Sequence, residues 1–127
     1  MEKLRLIVDG VPPSTNRIWR CSPRGGCYST KEEREWFLQV GIAVKLDQFR
    51  LPESWKYYAV EIIIEPRRRQ GDVDNRIKAT LDALTRAGVW KDDRAVAFVS
   101  CEFGKVNKLG RTTVTISERK EKYKETD

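Results

Sequence analysis

The sequence predicts an α+β fold in a single domain over residues 1–127, with two main helices packed on a small mixed β-sheet in the order β-α-β-α-β-β. Three observations predict it. The run Val60-Glu-Ile-Ile-Ile-Glu65 is dense in β-branched residues and ends at a proline. Two stretches, 31–49 and 74–86, repeat apolar residues at helical spacing. Two more β-rich runs, 94–103 and 111–117, follow the second of them. No repeat, low-complexity linker or domain boundary interrupts the chain, and 127 residues suffice for one core.

Taken in order, Leu4 to Asp9 alternates apolar and polar residues and predicts a first strand, stopped by Gly10 and Pro12-Pro13-Ser14. The segment to Thr30 is irregular. Its Arg17, Trp19, Arg20, Arg24 and Tyr28 interleave basic and aromatic side chains around Gly25-Gly26. That suits a nucleic-acid surface, where arginine meets phosphate and rings stack on bases; an ordinary surface loop would look the same. Ser29 or Thr30 ahead of Lys31-Glu32-Glu33 predicts a helix start, and Pro52 bounds a helix running to about Phe49. Phe37, Val40 and Val44 form one apolar stripe; Leu38, Ile42, Leu46 and Phe49 form a second. A helix apolar on two sides needs two partners, here the sheet and, by hypothesis, a second identical chain. Trp55 to Glu65 predicts the next strand. Ile77, Leu81 and Leu84 set one face of the second helix, with Asp72 as the expected N-cap and Gly88 just beyond its end. The last two runs, joined by 104–110, predict a hairpin with a basic tip, and about 118–127 is expected to fray.

Lys and Arg number 25 against 19 Asp and Glu, a net charge of +6. That excess suits a polyanionic partner, because each neutralised phosphate releases counterions. A mean hydropathy of −0.61 and the lack of any apolar run of membrane length exclude a spanning helix. No signal-peptide core follows Met1, so a cytoplasmic location is expected. With three cysteines (Cys21, Cys27, Cys101) and no histidine, the chain lacks four N or S ligands for structural zinc. It also lacks a serine–histidine or cysteine–histidine nucleophile pair. Free thiols are expected, and any hydrolysis would rest on carboxylates and metal.

The chemistry concentrates in 66–78. Arg67-Arg68-Arg69 run into Asp72 and Asp74, and Lys78 follows one helical turn later. The two aspartates could be helix-entrance acids, and Asp74 with Lys78 a surface ion pair worth about 0.3–0.5 kcal/mol. Asp92-Asp93, in the turn after the helix, changes the balance. Four carboxylates suit a hard cation such as Mg2+, with Mn2+ as a possible substitute. Such an ion would activate water against a phosphodiester, and Lys78 would supply fixed positive charge at the phosphate or leaving oxygen. Geometry imposes a condition: 74–86 as helix covers ~18 Å, and six further residues return at most ~20 Å. Either the chain doubles straight back, or Asp92 and Asp93 complete the site of a partner subunit.

Residues 67–78 (Arg-Arg-Arg-Gln-Gly-Asp-Val-Asp-Asn-Arg-Ile-Lys) and 81–93, with Leu81-Asp82-Ala83-Leu84 and Trp90-Lys91-Asp92-Asp93, resemble the RusA family of Holliday junction resolvases. The shared pattern is a basic run, D-x-D-N-x-x-K, D-A-L and W-x-D-D; Pro12-Pro13-Ser14-Thr15-Asn16-Arg17 looks like that family's P-P-S-x-N-R segment. The likeness covers nearly the whole chain, although Cys21 to Cys27 has no clear counterpart. It implies a RusA-like fold and a homodimeric, magnesium-dependent endonuclease that nicks two opposed strands of a four-way DNA junction symmetrically. It implies a bacterial or prophage-encoded, nucleoid-associated protein with no small-molecule cofactor. Carried over by position, Asp72, Asp74 and Asp93 are the essential acids and Lys78 the essential lysine, while Asp92 matches a neighbouring acid to which the resemblance gives no role and which joins the metal ligands by the four-carboxylate reading alone. Arg67, Arg68, Arg69, Arg76, Arg17 and Arg20 are the expected DNA contacts. The competing expectations are a basic DNA-binding protein without catalysis, its acids serving as caps and turns, and a nuclease of other branched DNA.

Overall fold

A computed structural model describes residues 2–14, 19–21, 27–69 and 71–124, with 19–21 and 27–29 described by backbone alone. Strand β1 is Lys3–Asp9, followed by short strands β2 (Trp19–Cys21) and β3 (Cys27–Ser29), helix α1 (Lys31–Leu46) and strand β4 (Tyr57–Glu65). Helix α2 (Ile77–Arg86) and strands β5 (Val96–Phe103) and β6 (Arg111–Arg119) complete the order. β2 and β3 pair with each other as a separate small ladder.

The main sheet runs β1-β6-β4-β5, with β4 and β5 parallel and the other pairs antiparallel. It is the expected mixed sheet, but the expected hairpin of the last two strands is absent, because β4 lies between them. The seven-residue connection at 104–110 crosses the end of β4 instead of turning back on β5. The reason lies in β4 itself. Its Val60, Ile62 and Ile64 are fully buried, so burial is greatest when a neighbour flanks it on both sides. Rows of side chains then cross the sheet, as in Leu6, Val114, Ile62 and Cys101.

One face of the sheet carries the core. Trp36 and Val40 of α1 and Ala79, Ala83 and Leu84 of α2 join Leu6, Val8, Ile62 and Ile116, each large buried side chain contributing about 1.5–3 kcal/mol. The Trp36 indole donates to the Ala79 carbonyl at 3.1 Å and fixes the two helices against each other. On the opposite face Ile7, Ile63 and Phe98 are exposed.

Thr30 caps α1, its hydroxyl accepting from the Glu33 N–H at 3.3 Å. The helix stops at Leu46, short of the expected Phe49: Gln48 adopts a positive φ of 49°, and the Phe49 N–H donates back to Val44. Phe49 thereby leaves the second stripe and enters the core, while Leu38, Ile42 and Leu46 stay 61 %, 43 % and 78 % exposed. Gly88 ends the α2 region at φ 83°, as its position predicts. β6 runs to Arg119, paired with Tyr57, two residues into the stretch expected to fray. Among the described residues no helix is long and apolar enough to cross a membrane.

Candidate active site

β4 ends at buried Pro66 and releases Arg67, Arg68 and Arg69, all exposed. The 104–110 connection holds this exit in place. Asn107 donates from its backbone to the Pro66 carbonyl (2.8 Å) and from its side chain to Glu65 (2.9 Å), while its own Oδ1 accepts from the Leu109 N–H (3.1 Å). The arginines line a groove of about 1180 Å³ together with Asp72, Pro12 and Trp36. That is larger than the usual small-molecule pocket of roughly 300–1,000 Å³ and is open along one side.

Asp72 is exposed and does not cap α2, contrary to expectation. Its Oδ2 accepts from the Asn75 amide at 3.3 Å, closing a local turn. A tight 3-10 turn, Asp74–Arg76, follows and leads into α2, which has no side-chain cap at Arg76. The same turn aims Arg76 inward: its Nη1 donates to the Pro12 carbonyl at 2.6 Å. Arg76, expected at the DNA, is thus half-buried and ties the Pro12-Pro13 loop to the acidic turn. Lys78 is not paired with Asp74 as the i, i+4 spacing suggested; its ammonium lies 3.2 Å from Asp82, one turn further on. Asp74 is exposed, and the Cys101 thiol of β5 contacts the carbonyl of its neighbour Val73 at 3.8 Å. Burial, with a smaller push from Asp74, raises that thiol to about 11, so Cys101 is protonated and unreactive at neutral pH.

Asp92 and Asp93 lie elsewhere. They line a second, smaller cleft with Glu33, Asp82, Arg86 and Lys91. Asp92 caps the turn Asp93–Ala95, its oxygens accepting from the Arg94 backbone (2.8 Å) and guanidinium (2.9 Å), bonds that hold its carboxyl below the usual aspartate range. Trp90 is buried, stacked on Tyr58 with ring centres 5.7 Å apart, and donates to Thr85 at 2.6 Å. Among the described residues no three Cys, Asp or Glu side chains converge closely enough to hold a metal. The four aspartates therefore form two separate pairs, one before α2 and one after it. Arg17 and Gln70 lie outside the described residues, as does the Arg20 side chain.

The clamping roles of Arg76 and Asn107 were not read from the sequence. For Asn107, an asparagine inside a glycine-bounded connection signals a side-chain turn. Nothing local signals Arg76, whose partner is 64 residues away.

A family model for endodeoxyribonuclease RusA matches residues 11–117, which takes in most of the groove, both aspartate pairs and all of the main sheet except β1 and the last two residues of β6. The chain belongs to the RusA family. Among its RusA relatives, the crossover junction endodeoxyribonuclease of Enterobacteria phage 82 is 36% identical over 110 residues, 84% of this chain and 88% of the relative. Those of Escherichia coli K12 and Shigella sonnei match at the same identity and coverage. The RusA match spans Asp72, Asp74, Lys78 and Asp93, so both aspartate pairs fall within the family region.

Proposed function

We propose that this RusA-family chain is a crossover junction endodeoxyribonuclease that binds four-way DNA junctions as a homodimer and resolves them by paired nicks in recombination and repair. The observation that carries the reading is the placement of exposed Asp72 in one groove with Arg67, Arg68 and Arg69, within the region that the family model matches. Three guanidinium groups there neutralise phosphate and lay the backbone along the groove, next to carboxylates that would otherwise repel it. The donors fit a hard divalent cation: Asp72, Asp74, Asp92 and Asp93 offer oxygen, and the half-buried thiol beside Asp74 stays protonated. Asp72 and Asp74, with Asp93, would hold Mg2+, or Mn2+ in its place. When bound, the ion supplies Lewis acidity and an activated water for phosphodiester hydrolysis. Lys78 is 62 % exposed and can exchange Asp82 for a phosphate oxygen, stabilising charge on the departing strand. Arg76 positions the acidic turn by holding it to Pro12.

The test is nicking of a synthetic four-way junction with and without magnesium. Asp74→Asn should lose cleavage by several orders of magnitude and keep junction binding. Unchanged cleavage in that variant would remove the catalytic assignment, and wild-type binding without nicking would leave a DNA-binding protein.

A further inference from the structure

Beyond anchoring the exit of β4, the connection 104–110 presents four outward side chains. It reads Gly104-Lys-Val-Asn-Lys-Leu-Gly110, so a lysine stands directly before an apolar residue twice, three positions apart. Lys105 and Lys108 are exposed, and so are Val106 and Leu109, at 51 % and 83 %. Leu109 is the most exposed large apolar side chain among the described residues. Its backbone is nonetheless fixed. The Gly104 N–H donates to the Ile64 carbonyl, the Asn107 N–H to that of Pro66 and the Gly110 N–H to that of Asn107, each at 2.8 Å. The Asn107 side chain holds the Leu109 N–H, and the Gly110 carbonyl accepts from the Gly10 N–H at 3.2 Å. Glycine is required at 110: its φ is 74°, and a Cβ there would lie 3.0 Å from Val11 and 3.2 Å from Arg67. That close approach sets Leu109 beside the arginine run, and Leu109 lines the same groove as Arg67, Arg68, Arg69 and Asp72. A single exposed leucine on a free loop needs no explanation. One held rigid at the rim of a phosphate-binding groove has a defined target.

Resting on the nuclease reading above, we propose that Leu109 is a wedge that enters the base stack at the branch point of the junction, while Lys105 and Lys108 hold phosphates beside it. Apolar side chains, leucine among them, part base steps in kinked duplexes at the cost of unstacking. That cost is least where pairing and stacking are already interrupted. At a four-way junction each innermost base pair has its own arm on one side only, and on the other its strands part. A continuous duplex has no such step, so the wedge favours the branched substrate over plain duplex. Rigidity serves the same end, because a loop ordered before binding loses little freedom on insertion. The lysines suit the contact too, since phosphates flank every base step and fix the protein's position on the strand.

The test uses a synthetic four-way junction carrying 2-aminopurine at the branch point, without divalent metal so that no strand is cut. Wild-type binding should brighten the probe as that base leaves its stack. Leu109→Ser should bind without the rise and about tenfold more weakly, with its affinity for linear duplex unchanged. Leu109→Met should restore both signal and affinity. Salt dependence separates a wedge from a charge contact. Leu109→Ser should keep the wild-type slope, whereas Lys108→Ala should make it shallower by about 0.9. A Leu109→Ser protein that brightens the probe as wild type does, or that loses junction and duplex affinity alike, overturns the wedge and leaves the nuclease reading standing. So does a wild type that binds the junction and leaves the probe dark. A slope unchanged by Lys108→Ala overturns the lysine contact. A wild type that, given magnesium, nicks no junction defeats the nuclease reading, and this proposal with it.

Discussion

Glu33 is 2 % exposed, and its Oε2 has no hydrogen-bond partner among the described residues. Burial raises its pKa; Arg86, Arg34 and Lys78 pull it down, and Asp82 pushes it up further. Because the folded value lies above the ordinary 4.5, the protonated form is the one the fold favours. Its contribution to stability is present below 4.5 and is lost as the pH rises through the folded value. Glu33→Gln should therefore melt above wild type at pH 7, with the gap closing as the pH falls towards 4.5. A wild type at least as stable at pH 7 would mean that the three cations outweigh burial. At this scale the sequence was informative where the cause is local: Thr30 and Gly88 sit where capping chemistry puts them. It was misleading for Lys78, which lies one turn from both Asp74 and Asp82 and whose choice depends on the 3-10 turn that displaces Asp74.

Elements were legible as elements and less so as neighbours. The periodicities of 31–49 and 74–86 became helices Lys31–Leu46 and Ile77–Arg86, each three residues shorter than expected, and the β-branched run ending at Glu65 became β4. The pairing of β5 was misjudged because a short glycine-bounded connection favours a hairpin locally, whereas β4 gains more from lying between two strands. Asn107 shows what the connection does in its actual place, joining Glu65 and Pro66 to the loop by side chain and backbone. Asn107→Ala removes the two side-chain bonds and should cost about 1 kcal/mol, a fall of a few degrees in Tm by calorimetry. It should also weaken junction binding, since the arginine run loses its anchor. An unchanged Tm would show the connection to be held by its backbone alone.

At the scale of the molecule, the net charge is +6, while the groove sets Arg67, Arg68, Arg69 and Arg76 among Asp9, Glu32, Glu35 and Asp72. If Arg68 and Arg69 each neutralise one phosphate, replacing both by alanine should make the slope of log affinity against log salt shallower by about 1.8. A slope identical to wild type would move the DNA path away from the groove. The sequence offers candidate residues for the chemistry, because the motif spacing is local. It left open which chain completes each site, because that depends on how β5 and α2 are laid out in space. The central position of β6 has one more consequence. β1 pairs with β6 and, in the main sheet, with no other strand, so the first strand made must wait for Arg111–Arg119. On a ribosome β4 and β5 can pair earlier, but β1 cannot be joined to them until that segment clears the exit tunnel, so the four-stranded sheet closes only after β6 has been made.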